Sequence, residues 1–141
     1  MTKPSMFAAS PDVAAQVLGV LDRMNDLMAD GDISGQRAQF ADDGDIAMIG
    51  SADFEVFLGA ERVDDYFKLV REHGVTSTWR WKDRRVWAAG DIAWVYADAD
   101  FTYTFEGAEQ TLPYRLTMVC HRRDGEWRIV LYHGSEPATM D

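Results

Sequence analysis

Residues 112–135 read LPYRLTMVCHRRDGEWRIVLYHGS, two runs of alternating apolar and polar residues on either side of Asp124-Gly125. Such alternation marks a strand with one buried face, and Asp-Gly readily takes the positive φ angles of a two-residue hairpin turn. Leu112, Tyr114, Leu116, Met118 and Cys120 share one face of the first run; Thr111, Arg115, Thr117 and His121 share the other. In the second run Trp127, Ile129, Leu131 and His133 alternate with Arg128, Val130, Tyr132 and Gly134. A two-residue turn pairs 123 with 126, so Met118 faces Leu131 and Leu116 faces His133. The two apolar faces then coincide, as register requires when one side of a sheet is buried. A bulge at the turn would instead invert the second strand and bring Tyr132 inside.

Two more long strands are expected over 76–89 and 92–105, joined at Gly90-Asp91. A two-residue loop sets Trp87 opposite Trp94, Arg85 opposite Tyr96, Asp83 opposite Asp98 and Trp81 opposite Asp100. Arg80, Lys82 and Arg84 occupy the other face of the first strand, so the tryptophan-bearing face is expected to be the inner one. A three-residue loop at Gly107 brings Asp100 opposite Tyr114, Asp98 opposite Leu116 and Tyr96 opposite Met118.

The preceding residues read as helices and short strands. Ser10-Pro11-Asp12 starts a helix: Ser10 is the N-cap, Pro11 lacks an N–H that would be orphaned anyway, and Asp12 suits the helix dipole. Val13, Val17, Val20, Leu21, Met24, Leu27 and Met28 recur at helical spacing, and Gly31 ends the run. Asp32 caps a second, short helix over 33–40 whose buried members are expected to be Ile33 and Phe40. Residues 46–49 and 55–58 read as strands. A third helix opens at Gly59-Ala60-Glu61-Arg62, carries Val63, Tyr66, Phe67 and Val70 on one side, and ends at Gly74. The expected organisation is a tail over 1–10, one domain over 11–137 and a tail over 138–141.

Composition excludes several classes of function. The 141 residues carry a formal net charge of −10, which repels phosphate backbones and anionic membrane, so neither nucleic acid nor membrane is an expected partner. No apolar run reaches the roughly 20 residues that span a bilayer, and MTKPSMFAAS lacks the apolar core of a signal peptide; a cytoplasmic location is expected. The one cysteine, Cys120, lies on an apolar strand face and is expected to be an inert buried thiol. Asp42, Asp43 and Asp45 lack the later ligands of a calcium loop. There is no three-ligand metal set, phosphate loop or nucleophile elbow, so no cofactor is expected.

Helices followed by consecutive antiparallel strands define an α+β fold. Phe40-Ala41-Asp42-Asp43, Gly59-Ala60-Glu61-Arg62, the run from Arg123 to Ile129 and His133-Gly134-Ser135 resemble the SnoaL-like branch of the nuclear transport factor 2-like superfamily. His121 to Trp127 also resembles the association domain of calcium/calmodulin-dependent protein kinase II. The resemblance spans residues 11–137. It implies a cystatin-like cone, three helices packed on a curved, mostly antiparallel sheet of about six strands. It further implies an apolar pocket and a homodimer formed through the sheet. It implies no single activity, since such folds host isomerases, dehydratases, hydrolases, binding proteins and assembly modules. Met48 stands where the ketosteroid isomerase branch carries its catalytic Asp, and Thr117 or Met118 where it carries an oxyanion-hole acid. Met118 and Tyr96 stand where the kinase association domain carries pocket arginines.

The polar residues expected on the inner face are Arg85, Tyr96, Asp98, Asp100, Tyr114 and His133. Asp98 and Asp100, two apart on one strand, would repel and be desolvated in an apolar cone, raising at least one pKa as an acid–base pair requires. They are the candidate catalytic residues together with His133. Met48, Trp79, Trp81, Arg85, Tyr96, Tyr114 and Met118 are the candidate substrate contacts. The competing reading makes Arg85 with Asp83 or Asp98 a rim ion pair, with Asp100 in water. Three functions stay open: a cofactor-independent isomerase, dehydratase or hydrolase; a ligand-binding or sensing protein; an assembly module. The expected ligand is a small, largely apolar organic molecule.

Overall fold

The computed structural model describes residues 2–140; positions 1 and 141 of the two expected tails lie outside the described residues. The order is α1 (Pro11–Asp30), α2 (Ile33–Ala38), β1 (Ala47–Ile49), β2 (Val56–Leu58), α3 (Ala60–Glu72), β3 (Thr76–Ala89), β4 (Ile92–Phe105), β5 (Ala108–Arg123) and β6 (Glu126–Ser135). One six-stranded sheet runs β2-β1-β6-β5-β4-β3. Only β1 and β6 pair in parallel. This is the α+β cone the sequence implies, with the helices on one face of the sheet.

Local chemistry accounts for the helix ends. The Ser10 hydroxyl accepts a hydrogen bond from the Val13 N–H at 3.2 Å, and Gly31, at φ 69°, closes α1 by donating to the Leu27 and Met28 carbonyls. The Asp32 carboxylate caps α2 through the Gly35 N–H at 2.9 Å. The core lies between helices and sheet, where Val17, Val20, Leu21 and Val63 meet Val95, Leu116, Met118 and Ile129. Residues 7 and 8 lie along the sheet edge: Ala8 bridges Trp87, and the Phe7 carbonyl accepts from the Ala88 N–H at 2.9 Å.

Register departs from the expected pairing in three places, and each inverts part of the inner face. In β3 the register shifts between Trp81 and Asp83, leaving Lys82 as an extra residue. Trp87 opposite Trp94, Arg85 opposite Tyr96 and Asp83 opposite Asp98 are as expected, but Trp81 pairs with Ala99 and Arg80 with Asp100. A bulge restarts the alternation, so Trp79 and Trp81 face the helices while Asp83, Arg85 and Trp87 face outward. The β4–β5 loop has two residues, Glu106 and Gly107, both at positive φ (50° and 83°). Asp98 therefore pairs with Arg115 and Asp100 with Pro113, not with Leu116 and Tyr114. In β6 the shift falls at Val130, past the turn: Cys120 pairs with Ile129, but Val119 with Leu131, Met118 with Tyr132 and Leu116 with Gly134. Tyr132 turns inward and His133 outward.

Candidate functional site

The cone encloses a cavity of about 520 Å³, bounded by α1, α2 and α3 on one side and by the sheet on the other. Met24, Met28, Phe40, Met48, Phe57, Phe67, Trp79, Phe101 and Leu112 supply most of its wall. Phe54, Leu69 and Phe105 also line it and are 72%, 41% and 40% exposed, which marks where it opens to solvent. Burial of so much aromatic surface makes a site for an apolar molecule, with orientation left to a few polar groups.

Those polar groups come from α2, α3, the four long strands and the segments beside them. Tyr114 on β5 and Tyr132 on β6 place their hydroxyls 2.8 Å apart. Tyr132 pairs with Met118, four residues along β5 from Tyr114, and side chains so far out of register do not normally meet through their ring tips. Here they do because Gly134 has no side chain: a Cβ there would overlap the Tyr114 hydroxyl and ring. Burial pushes the Tyr114 hydroxyl up to about 12, even though its hydrogen bond with Tyr132 pulls the other way. Burial, with Tyr114 next to it, raises Tyr132 well above its usual value. Tyr66, reaching in from α3, is likewise raised by burial, then by Glu55 and Tyr114. All three hydroxyls stay protonated at neutral pH and act as hydrogen-bond donors.

Glu55 lies beside them, just ahead of β2. Its carboxylate accepts from the Ala52 N–H at 3.0 Å and packs against Gly50, where a Cβ would collide with it. His73, Ser77, Tyr103 and Glu136 complete the polar lining, and Gln36 enters from α2. His73 sits 3.6 Å from Glu106 and its ring lies 5.0 Å from that of Phe105. Trp79 is held from both sides: the Asn25 carboxamide bonds its backbone N–H at 2.8 Å and its carbonyl at 3.0 Å, closing the sheet edge against α1. Its ring stacks 5.0 Å from Trp81 and 6.4 Å from Tyr132.

Met48, Trp79 and Tyr114, three of the expected contacts, line this cavity. Trp81 and Met118 face the same side but belong to the packed core behind it. The acid pair is a correction. Asp98 and Asp100 lie on the outer face, alternating with buried Ala97 and Ala99. Asp100 bonds Arg80 at 2.7 Å and Lys82 at 3.2 Å. Those two cations hold its carboxyl below the usual carboxylate range, opposite to the expected direction. Arg85 and Tyr96 share that outer face, Arg85 pairing with Asp83 at 3.2 Å. His133 is exposed on the outer side, displaced by the Val130 bulge. Cys120 is fully buried and its thiol is pushed up to about 12 by burial. Among the described residues, no three His, Cys, Asp or Glu side chains gather as a metal site, and no helix is long and apolar enough to cross a membrane.

Tyr66, Glu55 and Gln36 were not among the expected contacts. Tyr66 sits on the apolar stripe of α3, and Gln36 falls between Ile33 and Phe40 at helical spacing, so periodicity places both inward. Glu55 carries no such signal.

An aromatic cavity beneath helices on a curved sheet is the geometry of a cystatin-like α+β cone. Residues 17–139 match the SnoaL-like domain, and the chain belongs to that family. No curated protein is significantly similar in sequence. Among solved structures, a provisionally assigned dehydratase of the nuclear transport factor 2-like family from Streptomyces avermitilis superposes with TM-score 0.79 at 18% identity, covering 92% of this chain and 100% of that one. A ketosteroid isomerase-like protein from Erwinia carotovora atroseptica gives TM-score 0.74 at 18% identity, covering 92% and 100%. A provisionally assigned calcium/calmodulin-dependent protein kinase II association domain from Xanthomonas campestris gives 0.69 at 22%, covering 99% and 100%. At these identities the likeness is one of fold.

Proposed function

We propose that the protein binds a small, largely apolar organic molecule whose carbonyl or other oxygen acceptor is held by the Tyr114–Tyr132 pair. The observation that carries this reading is the 2.8 Å contact between the two hydroxyls inside an aromatic cavity. Two hydroxyls have two protons, and a single hydrogen bond between them uses one. The other is free to be donated, and accepting a bond polarises the hydroxyl that gives it. Most of the surrounding wall is Phe, Met and Trp, with the Glu55 carboxylate among the acceptors beside the pair.

The test compares 2-acetylnaphthalene with 2-ethylnaphthalene, which differ in the oxygen acceptor, by titration calorimetry. The ketone should bind about tenfold more tightly, roughly 1.4 kcal/mol for one hydrogen bond. Tyr114→Phe or Tyr132→Phe should erase that margin. Absence of binding by either compound, or a preference unchanged in both variants, would remove the proposal.

A second reading, enzymatic proton transfer of the isomerase or dehydratase kind, is favoured by one observation: the Glu55 carboxylate lines the same cavity as the hydroxyl donors. A base and an acid donor around one apolar ligand are the parts such chemistry needs. The solved structures named for such activities lend it support by analogy. Glu55→Gln separates the two readings, since a binding protein keeps its affinity and has no turnover to lose.

The outer face of the sheet bears Trp87, Trp94, Tyr96, Val119 and Leu131, each half-buried. We assign that face to a second copy of the chain. A monomeric mass by light scattering would remove this assignment.

A further inference from the structure

Gln36 is the one polar residue in the fully buried set among the described residues, 4% exposed, at the centre of α2. Its Nε2 donates to the Leu27 carbonyl at 3.2 Å. A carbonyl only accepts, so the amide must turn its NH2 end to Leu27 and its Oε1 the other way. Gln36 lines the cavity, and no hydrogen bond of the described residues uses Oε1. Between buried Ile33 and Phe40 this helix stripe calls for an apolar residue such as leucine, which has no polar group to satisfy. Oε1 is not one of the buried side-chain atoms left without a partner, so on a cavity-lining residue it is an accessible acceptor; a polar group at such a position breaks that local rule, and such breaks concentrate at binding sites.

We propose that Gln36 is a specificity-determining residue whose Oε1 accepts a hydrogen bond from a hydroxyl of the ligand. The inference rests on the reading of the cavity as a binding site and deepens it by naming the class of ligand. The tyrosine pair offers a donor and Gln36 an acceptor. The matching molecule carries both functions on one apolar frame: a hydroxy-carbonyl compound such as a phenolic or alicyclic hydroxy ketone. A hydrocarbon or a simple ketone leaves Oε1 without a partner when it displaces water, and is discriminated against for that reason.

The test adds a second pair of probes, 2-naphthol and 2-methoxynaphthalene, which both present an oxygen acceptor but of which only the naphthol can donate. Wild type should favour 2-naphthol about tenfold. Gln36→Leu and Gln36→Met should each bring that preference within about twofold while leaving the 2-acetylnaphthalene preference over 2-ethylnaphthalene intact. The methionine variant has nearly the length of glutamine, and matching urea midpoints establish that both variants are folded. A naphthol preference that survives both substitutions, or that vanishes in Tyr114→Phe or Tyr132→Phe instead, overturns the role of Gln36. If the ketone is preferred but naphthol is not, Gln36 fails while the cavity reading stands. If no naphthalene binds, both fall.

Discussion

The Tyr114 ring crosses directly over Gly134 of the neighbouring strand, in space that any side chain at 134 would fill. Gly134 is not among the glycines with positive φ, so what it contributes is room rather than an unusual backbone. Gly134→Ala should therefore destabilise the protein by overpacking, about 1–3 kcal/mol. Truncating the ring removes the collision: in a Tyr114→Ala background the same change should cost under about 1 kcal/mol, a coupling read from urea unfolding of the double-mutant cycle. Additive costs would show that the glycine is needed for something else.

Alkaline stability follows from the buried hydroxyls and thiol. Burial raises Tyr114 from 10.0 and Cys120 from 9.0, each to about 12. A raised folded value means the folded state favours the protonated form, so the unfolded chain gives up these protons first. The associated stability is complete below the unfolded values and disappears as pH rises through the interval up to the folded ones. Unfolding free energy should fall from about pH 9 upward, by roughly 1.4 kcal/mol per pH unit for each group titrating. Cys120→Ala should flatten the slope between 9 and 10, and Tyr114→Phe that above 10, in urea melts taken across the range. Slopes indifferent to both substitutions would contradict the assigned burial.

Asp100 runs the opposite way. Arg80 and then Lys82 depress its carboxyl from 3.8, so the contribution is present above that value and is lost as pH falls through the folded one. Arg80→Ala should move the Asp100 carboxyl back toward 3.8, seen by carbon NMR of the side chain. Because the outer face carries both acids, Asp98→Asn and Asp100→Asn should leave 2-acetylnaphthalene affinity within about twofold. A loss of tenfold or more would bring the acids back into the site.

What could be read in the sequence, and what could not, divides along a physical line. Ser10-Pro11, Gly31 and the two-residue turns at Gly90-Asp91 and Asp124-Gly125 carry local signatures, since each needs a particular φ or a particular cap. The element order follows from them. The bulges at Lys82 and Val130 have no such signature: neither has a glycine or a turn dipeptide, Lys82 opens a run of four charged residues and Val130 lies in the run Ile129 to Tyr132, so the alternation there does not fix which residue is surplus. Since strand faces alternate every residue, these two insertions and one loop a residue shorter than expected moved Asp98, Asp100, Arg85, Tyr96 and His133 out of the inner face. The fold tolerates such slips in the reading and the site does not. Gln36 was legible by periodicity, as the polar member of a buried stripe.

The Val130 bulge makes an unusual deletion tolerable. Removing one residue from inside a strand ordinarily sends every later side chain to the wrong face. Here Ile129 faces inward opposite Cys120, Val130 is surplus, and Leu131 resumes opposite Val119. Deleting Val130 leaves Ile129 inward, Leu131 outward and Tyr132 inward, so the ladder becomes regular and Tyr132 still meets Tyr114. The cost should be confined to lost local twist and one half-buried valine, about 1–2 kcal/mol. Deleting Thr117 from the partner strand has no bulge to absorb it and should unfold the protein. Circular dichroism melts of the two deletions, with 2-acetylnaphthalene affinity as the readout of the cavity, distinguish the cases. If the Val130 deletion abolishes binding in a folded protein, the surplus residue is itself what holds Tyr132 in place.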